Sequence, residues 1–189
     1  MKFCSTCGEQ VSQKIPLGDN RLRYVCNACS TIHYQNPRII AGCIAEHEDR
    51  ILLCKRAIEP RLGLWTLPAG FMENNETTLQ AAARESFEEA NASIQNMTLY
   101  CTYSIPHISQ VYMMYRGTLL NGFSAAGEES LETRLYTEQD IPWEQLAFPV
   151  ITETLKLYFT DKRNNNFKAR DGEIYRDDTQ QLIVKNYTS

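Results

Sequence analysis

Apolar and polar positions change period several times along the 189 residues of this chain. Residues 38–45 (RIIAGCIA) and 51–54 (ILLC) are β-rich apolar runs separated by the charged turn at 46–50, a pattern that predicts a hairpin. LWTL at 64–67 predicts a short strand stopped by Pro68. Further strands are predicted at 97–105, 111–119 and 131–137. Two stretches carry the helical period instead. In residues 150–159, Ile151, Leu155 and Tyr158 recur three and four apart. The other follows a polar loop after Ala69-Gly70, where Thr77 and Gln80 have capping-box spacing and place a helix start near Thr77. Strands outnumber helices, and the helices lie between and after them. A mixed sheet with helices on both faces is the layered solution. From residue 161 onward the chain is polar, with one short apolar stretch at 182–184, which predicts a tail able to dock on the domain or on a partner subunit.

The first helix has unusual chemistry. Each position rotates by about 100°, so Glu85, Glu88 and Glu89 share an arc of roughly 100°. Leu79, Ala83, Phe87 and Ala90 fall on roughly the opposite side, which predicts an apolar back to bury and an acidic front to present. Three carboxylates within one turn repel one another, and no lysine lies in the next turn to relieve them. A bound cation would. The alternative is a solvated face with scattered glutamates.

Cys4, Cys7, Cys26 and Cys29 form two C-x2-C pairs separated by eighteen residues, the spacing of a tetrahedral four-thiolate zinc site. Disulfides are the competing reading, but cysteines three apart rarely bridge, and no apolar signal segment directs the chain to an oxidising compartment. Four sulfur ligands leave no open coordination position, and a segment this short cannot bury a core of its own, so the zinc is expected to be structural. Cys43, Cys54 and Cys101 sit in strand-like apolar stretches and read as buried small hydrophobes.

Length allows one ordinary domain plus the small ribbon, and 43% apolar content fits a packed globule. A net charge of −4 and a pI near 5.5 argue against a protein that tracks a nucleic-acid backbone, despite a slight excess of Lys2, Lys14, Arg21, Arg23 and Arg38 over Glu9 and Asp19. No apolar stretch approaches the length of a membrane span, and the cytoplasm is the expected setting.

Residues 70–92, GFMENNETTLQAAARESFEEANA, resemble the Nudix box: Gly70, five residues, Glu76, seven residues, Arg84-Glu85, two residues, Glu88-Glu89. Six fixed positions in register make this far more specific than a short glycine motif. The family pattern has an aliphatic residue where Ser86 stands, a glycine at Asn91 and an aliphatic at Ala92. Asn is the usual substitute for Gly at a left-handed helix end, and Phe87 is available to supply apolar bulk. The resemblance implies an α/β/α sandwich with a mixed sheet (an α/β, α+β fold), divided as a zinc ribbon at 1–36, a Nudix domain at 37–160 and a polar tail at 161–189.

The resemblance also implies metal-dependent cleavage of a phosphoanhydride. Mg²⁺ or Mn²⁺ neutralises phosphate charge and makes hydroxide available near neutral pH. Glu85 and Glu89 would be the main ligands, Glu88 would assist, and the Ala69 carbonyl would complete the site, while Gly70, Glu76 and Arg84 would be structural. Glu128, Glu129 and Glu132 are candidates for the base that deprotonates water, with Glu85 as competitor. Arg56 and Arg61 are candidates to steady phosphates, and Tyr112, Trp143 and Phe148 are either base-stacking residues or core.

A zinc ribbon before a Nudix domain also describes the NADH pyrophosphatases, whose Ser-Gln-Pro-Trp-Pro-Phe-Pro signature breaks here after Ser109-Gln110. The chain is more similar to the branch that includes FAD and ADP-ribose pyrophosphatases, through YQNP at 34–37, LWTLPAGF at 64–71, EEANA at 88–92, EESLE at 128–132 and IPWEQLAF at 141–148. The expected partner is therefore a small dinucleotide or nucleotide-sugar diphosphate, cleaved to AMP and a phosphorylated product, and enzymes of this kind are often homodimers. The rival from another class is a catalytically silent nucleotide-sensing module.

Overall fold

Within Met1–Pro37 the buried side chains are Cys4, Val25 and Cys26, too few to hold a chain together by apolar burial. That unit is a three-stranded antiparallel sheet of β1 (Val11–Lys14), β2 (Arg23–Cys26) and β3 (Ile32–His33), with both C-x2-C pairs on its turns. The computed structural model describes residues 1–187, and Arg38 begins a second compact unit.

In the second unit, alternation along β4 (Arg38–His47) sets up two different faces. Ile40 and Ile44 point one way, and Ala41, Cys43 and Ala45 point the other, all buried. The remaining strands are β5 (Arg50–Arg56), β6 (Trp65–Thr66), β7 (Ala69–Phe71), β8 (Ile94–Ile105), β9 (Gln110–Leu119), β10 (Ser130–Tyr136), β11 (Arg170–Arg176) and β12 (Leu182–Tyr187). They form one sheet in the order β10-β5-β4-β9-β8-β11-β12, with β6 and β7 paired onto β5 and β4. The sheet is mixed: β4 runs parallel to β9 and β11 parallel to β8, and the other neighbours are antiparallel.

Helix α2 (Pro149–Asn164) covers the large-residue face with Ile151, Leu155, Tyr158 and Phe159, meeting Ile40, Ile44 and Leu53. Helix α1 (Thr78–Ala90) covers the small-residue face. Its capping box is complete: Thr77 Oγ1 accepts from the Gln80 N–H at 3.2 Å, and Gln80 Oε1 accepts from the Thr77 N–H at 2.8 Å.

Two sequence expectations are corrected here. The buried side of α1 is Ala81, Ala82, Glu85, Ser86, Glu89 and Ala90, whereas Leu79 and Phe87 are 42% and 57% exposed. Ala41, Cys43 and Ala45 let the helix approach closely, and only small side chains fit in that gap, so the bulky residues turn outward. Nor does Phe87 supply bulk for Ser86, which is itself fully buried with its hydroxyl donating to the Ala82 carbonyl at 2.7 Å.

The second correction concerns the tail. Residues 161–164 finish α2, and β11 and β12 extend the main sheet, so the segment is part of the fold. Leu182 and Val184 pack on the core, the docking on the domain that the apolar stretch at 182–184 predicts, and a polar anchor secures the segment as well. Asp161, 3% exposed, accepts from Arg170 Nη1 and Nη2 at 2.7 Å each and from the Tyr100 hydroxyl at 2.9 Å. Phe167 packs on Tyr100 and Tyr158, under the Arg116 guanidinium 3.5 Å from its ring centre. Asp161→Ala leaves Arg170 without its carboxylate and is expected to cost about 3 kcal/mol in urea unfolding. A loss below about 1 kcal/mol would show that this pair does not anchor the C-terminal strands.

Candidate active site

Two glycines set the distance between α1 and the loop before it. A Cβ on Gly70 would lie 2.3 Å from the Glu85 carboxylate, and one on Gly42 would lie 2.7 Å from the Pro68 carbonyl oxygen. Their absence allows β7 to pair antiparallel with β4 while its backbone touches the acidic flank of α1.

Arg84 joins this corner together. Its Nε and Nη2 donate to the two oxygens of Glu76 at 3.0 and 2.7 Å, and Nη2 also reaches the Phe71 carbonyl at 3.1 Å. Nη1 donates to Glu85 at 2.7 Å and to Glu88 at 2.8 Å. The Arg84 guanidinium, helped by the Glu73 N–H, holds the Glu76 carboxyl down to about 2. Arg84 thus relieves two of the three helix carboxylates from within the same turn, where no lysine is needed.

Glu89 is the residue left without such a partner. It is 6% exposed and accepts one hydrogen bond, from the Ala69 N–H at 3.3 Å. Burial, and then the neighbouring Glu85 carboxylate, push it up to about 8 against the weaker pull of that N–H and of Arg56. Burial also raises Glu85, opposed by Arg84. A cation beside these two carboxyls would oppose both the burial and the mutual repulsion that raise them.

These side chains line a cleft of about 780 Å³. Glu85, Glu88, Glu89, Ala69 and Gly70 line it together with Glu128 and Glu129 from the loop before β10 and with Arg56, Tyr112 and Phe148. Arg56 Nε donates to the Pro60 carbonyl at 2.9 Å, and its guanidinium lies 5.3 Å from the Phe148 ring centre, so its position is held from two sides. Three candidates are not brought here. Glu132 sits on β10 opposite Lys55, exposed and outside the cleft lining, because the strand's alternation carries it away. Arg61 is exposed in the turn after Pro60, at φ 71°. Trp143 packs edge-on against Phe159 in the core, 6.5 Å between ring centres. The cleft also gains Ile58, Phe71 and Ile108, between 39% and 47% exposed at its rim, and Gln110. Phe71 directly follows Gly70 and was within reach of motif reasoning; Ile58 and Ile108 are distant in sequence and meet only through folding.

In the ribbon, the sulfur atoms of Cys4, Cys7, Cys26 and Cys29 all lie within 4.8 Å of one another, with pairs at 3.4, 3.5 and 3.8 Å. A tetrahedron of thiolates about 2.3 Å from a central metal has edges of about 3.8 Å, so the four fit a shared ion. The Thr6 and Cys29 N–H groups donate to Cys4 and Cys26 Sγ at 3.4 Å each, and His33 Nε2 lies 3.3 Å from Cys4 Sγ. Among the described residues this is the one group of three or more His, Cys, Asp or Glu side chains gathered for an ion; the helix carboxylates are spread between Arg84 and Ala69. Cys43, Cys54 and Cys101 are buried in the sheet, and burial pushes the Cys101 thiol up to about 12.

A zinc ribbon with a Nudix-type sheet and an acidic helix at its cleft defines a class, and comparison with known proteins agrees. The chain belongs to the Nudix family: the NUDIX domain model matches residues 36–160, and a model described as Nudix N-terminal, a zinc ribbon, matches residues 2–35. A curated relative, the NAD-capped RNA hydrolase NudC of Photobacterium profundum, is 29% identical over 87% of this chain and 62% of its own length. The protein of that name from Haemophilus influenzae (strain PittGG) is 36% identical over 52% of this chain and 37% of its own. The chain thus spans less than two thirds of these relatives. The crystal structure of a NUDIX hydrolase from Nitrosomonas europaea superposes with a TM-score of 0.89 at 55% identity, covering 93% of this chain and all of that one.

Because burial and Glu85 raise the Glu89 carboxyl to about 8, a divalent ion that binds there should compete with its proton. Without metal, the stability gained from its raised pKa is complete below the ordinary carboxylate value of 4.5 and is lost as pH rises through about 8. Divalent ions bind the deprotonated form, so apparent affinity should weaken roughly tenfold per unit below that value, with close to one proton released per ion near neutral pH. Calorimetric titration with MnCl₂ in buffers of different ionisation heat measures that release. An equal proton count from Glu89→Gln would remove Glu89 as its source.

Proposed function

We propose that this chain is a divalent-metal-dependent hydrolase that cleaves the phosphoanhydride joining a nucleoside diphosphate to a second group. The observation that carries this reading is Glu89, 6% exposed and next to Glu85 on α1, in a cleft that Glu88 and Arg56 also line. Glu85 and Glu89, with the Ala69 carbonyl, are the residues to hold Mg²⁺ or Mn²⁺, and Glu88 assists from the more exposed side. The bound ion supplies charge neutralisation and a water acidic enough to attack near neutral pH.

The chain's own groups do the rest. Gly70, Glu76 and Arg84 hold the loop against α1, so the carboxylates keep their spacing as the substrate's charge arrives. Arg56 faces the phosphates as a fixed cation. Glu128 and Glu129 are the loop carboxylates placed to take the proton of the attacking water, with Glu85 as the competing acceptor. Tyr112 and Phe148 offer ring faces to a base or other flat group. In the ribbon the four thiolates hold zinc with no position left open, a structural role.

The cleft volume, about 780 Å³, suits a dinucleotide. Two substrate readings follow. The break after Ser109-Gln110 favours an ADP-ribose or FAD type of substrate, and the NudC name of the relatives favours a nicotinamide dinucleotide. Incubating the protein with FAD, ADP-ribose, NADH and nucleoside triphosphates under Mn²⁺ separates them, with AMP as the expected product. Consumption of the triphosphates alone would overturn the proposal.

Glu89→Gln keeps the shape of the side chain and removes the ligand charge, and should lower turnover by on the order of a hundredfold or more while the protein stays folded. Unchanged turnover would place the metal elsewhere. Cys4→Ser should instead lose bound zinc and ribbon stability, measured by metal analysis and thermal unfolding, with a much smaller effect on turnover.

A further inference from the structure

The loop that brings Glu128 and Glu129 to the cleft is held against the end of α1 by a residue that the helix itself does not need. The last turn of a helix leaves carbonyls without partners. Here two of them are taken by the loop: Ala125 N–H donates to the Ala90 carbonyl at 2.8 Å, and Gly127 N–H donates to the Glu89 carbonyl at 2.9 Å. Asn91 caps the helix in the left-handed conformation, φ 48° and ψ 28°, with its N–H donating to the Phe87 carbonyl at 2.7 Å. Glycine would do the same with less strain. What glycine lacks is the side-chain amide, which donates from Nδ2 to the Ala125 carbonyl at 3.1 Å and also meets the Ala126 carbonyl at 3.5 Å. Opposite it, a Cβ on Gly127 would sit 1.7 Å from the Glu88 carbonyl oxygen, so only glycine permits this approach.

We propose that Asn91 is a positioning residue: its side-chain amide fastens the 125–129 loop to the end of α1 and so holds Glu128 and Glu129 at the cleft beside Glu85 and Glu89. The proposal rests on the reading above in which the loop carboxylates take part in hydrolysis. Downstream of the loop, Glu129's carbonyl accepts from Ala57 N–H at 2.8 Å, so the far end stays pinned while the Asn91 contact sets the near end.

The test uses the full zinc-loaded chain with ADP-ribose and NADH as probes under Mn²⁺. Asn91→Gly keeps the cap and deletes the amide; Asn91→Asp keeps the shape and turns a carboxylate toward the two carbonyls. Both should lower kcat roughly tenfold with KM little changed, since misplacing a reacting group by about an ångström costs this much or more. In a Glu128→Gln/Glu129→Gln background, itself slowed, adding Asn91→Gly should cost less than about twofold more, because the tether then has nothing to position.

An Asn91→Gly enzyme with full kcat would overturn the proposal while leaving the loop carboxylates in place. So would an equal loss in both backgrounds, which would mean that Asn91 acts through the helix. If the double glutamine variant keeps full kcat, the loop reading itself fails and the proposal falls with it, a result visible without any Asn91 variant.

Discussion

The narrow gap between α1 and the sheet sets the electrostatics of the cleft. Ala41, Cys43 and Ala45 on β4 face Ala81, Ala82 and Ala90 on the helix, and Gly70 lets the loop backbone lie against Glu85. Such close packing excludes water from the flank of α1 that carries Glu85 and Glu89, and desolvation raises both carboxyls. A helix held farther off by leucines would expose the same glutamates to water and leave them ordinary. Ser86 fits the same constraint: its hydroxyl is satisfied by the Ala82 carbonyl within its own helix, so a small polar residue is buried without an orphaned group.

Desolvation alone would leave a cluster of like charges, and Arg84 balances it unevenly. Its contacts to Glu76 and the Phe71 carbonyl do not involve Glu85 or Glu88, so the guanidinium stays anchored even if those two carboxylates turn toward an ion. Glu89 receives no such share and lies deepest. The gradient runs from Glu76, pulled down by Arg84, to Glu89, pushed up by burial, both set by helix α1 and the loop that precedes it.

The rest of the cleft lining is built by other means. Arg56 lies at the end of β5 and is steadied by Pro60 and Phe148, residues from two different connections. Glu128 and Glu129 arrive on a loop with no regular structure, fixed by hydrogen bonds to the end of α1 and to Ala57. One side of the site is thus a rigid element and the other a set of tethered connections, the common division between scaffold and variable chemistry.

The sequence by itself determined the elements and the chemistry that is local to them. The strands of the sheet's centre, the capping box at Thr77 and the four-thiol spacing all lie within short stretches, where period and spacing translate directly into geometry, and the tie of Glu76 to Arg84 was legible through the Nudix resemblance. Tertiary structure decided which face of α1 is buried, because that depends on the size of residues on β4, some forty positions away. It also placed Arg56 and Phe148 in the cleft and Glu132, Arg61 and Trp143 outside it, choices made by strand pairing and not by residue type. The C-terminal strands were illegible for a related reason: a sheet edge secured by the Asp161–Arg170–Tyr100 contacts needs little apolar patterning, and a polar anchor spread over seventy residues leaves no local signal.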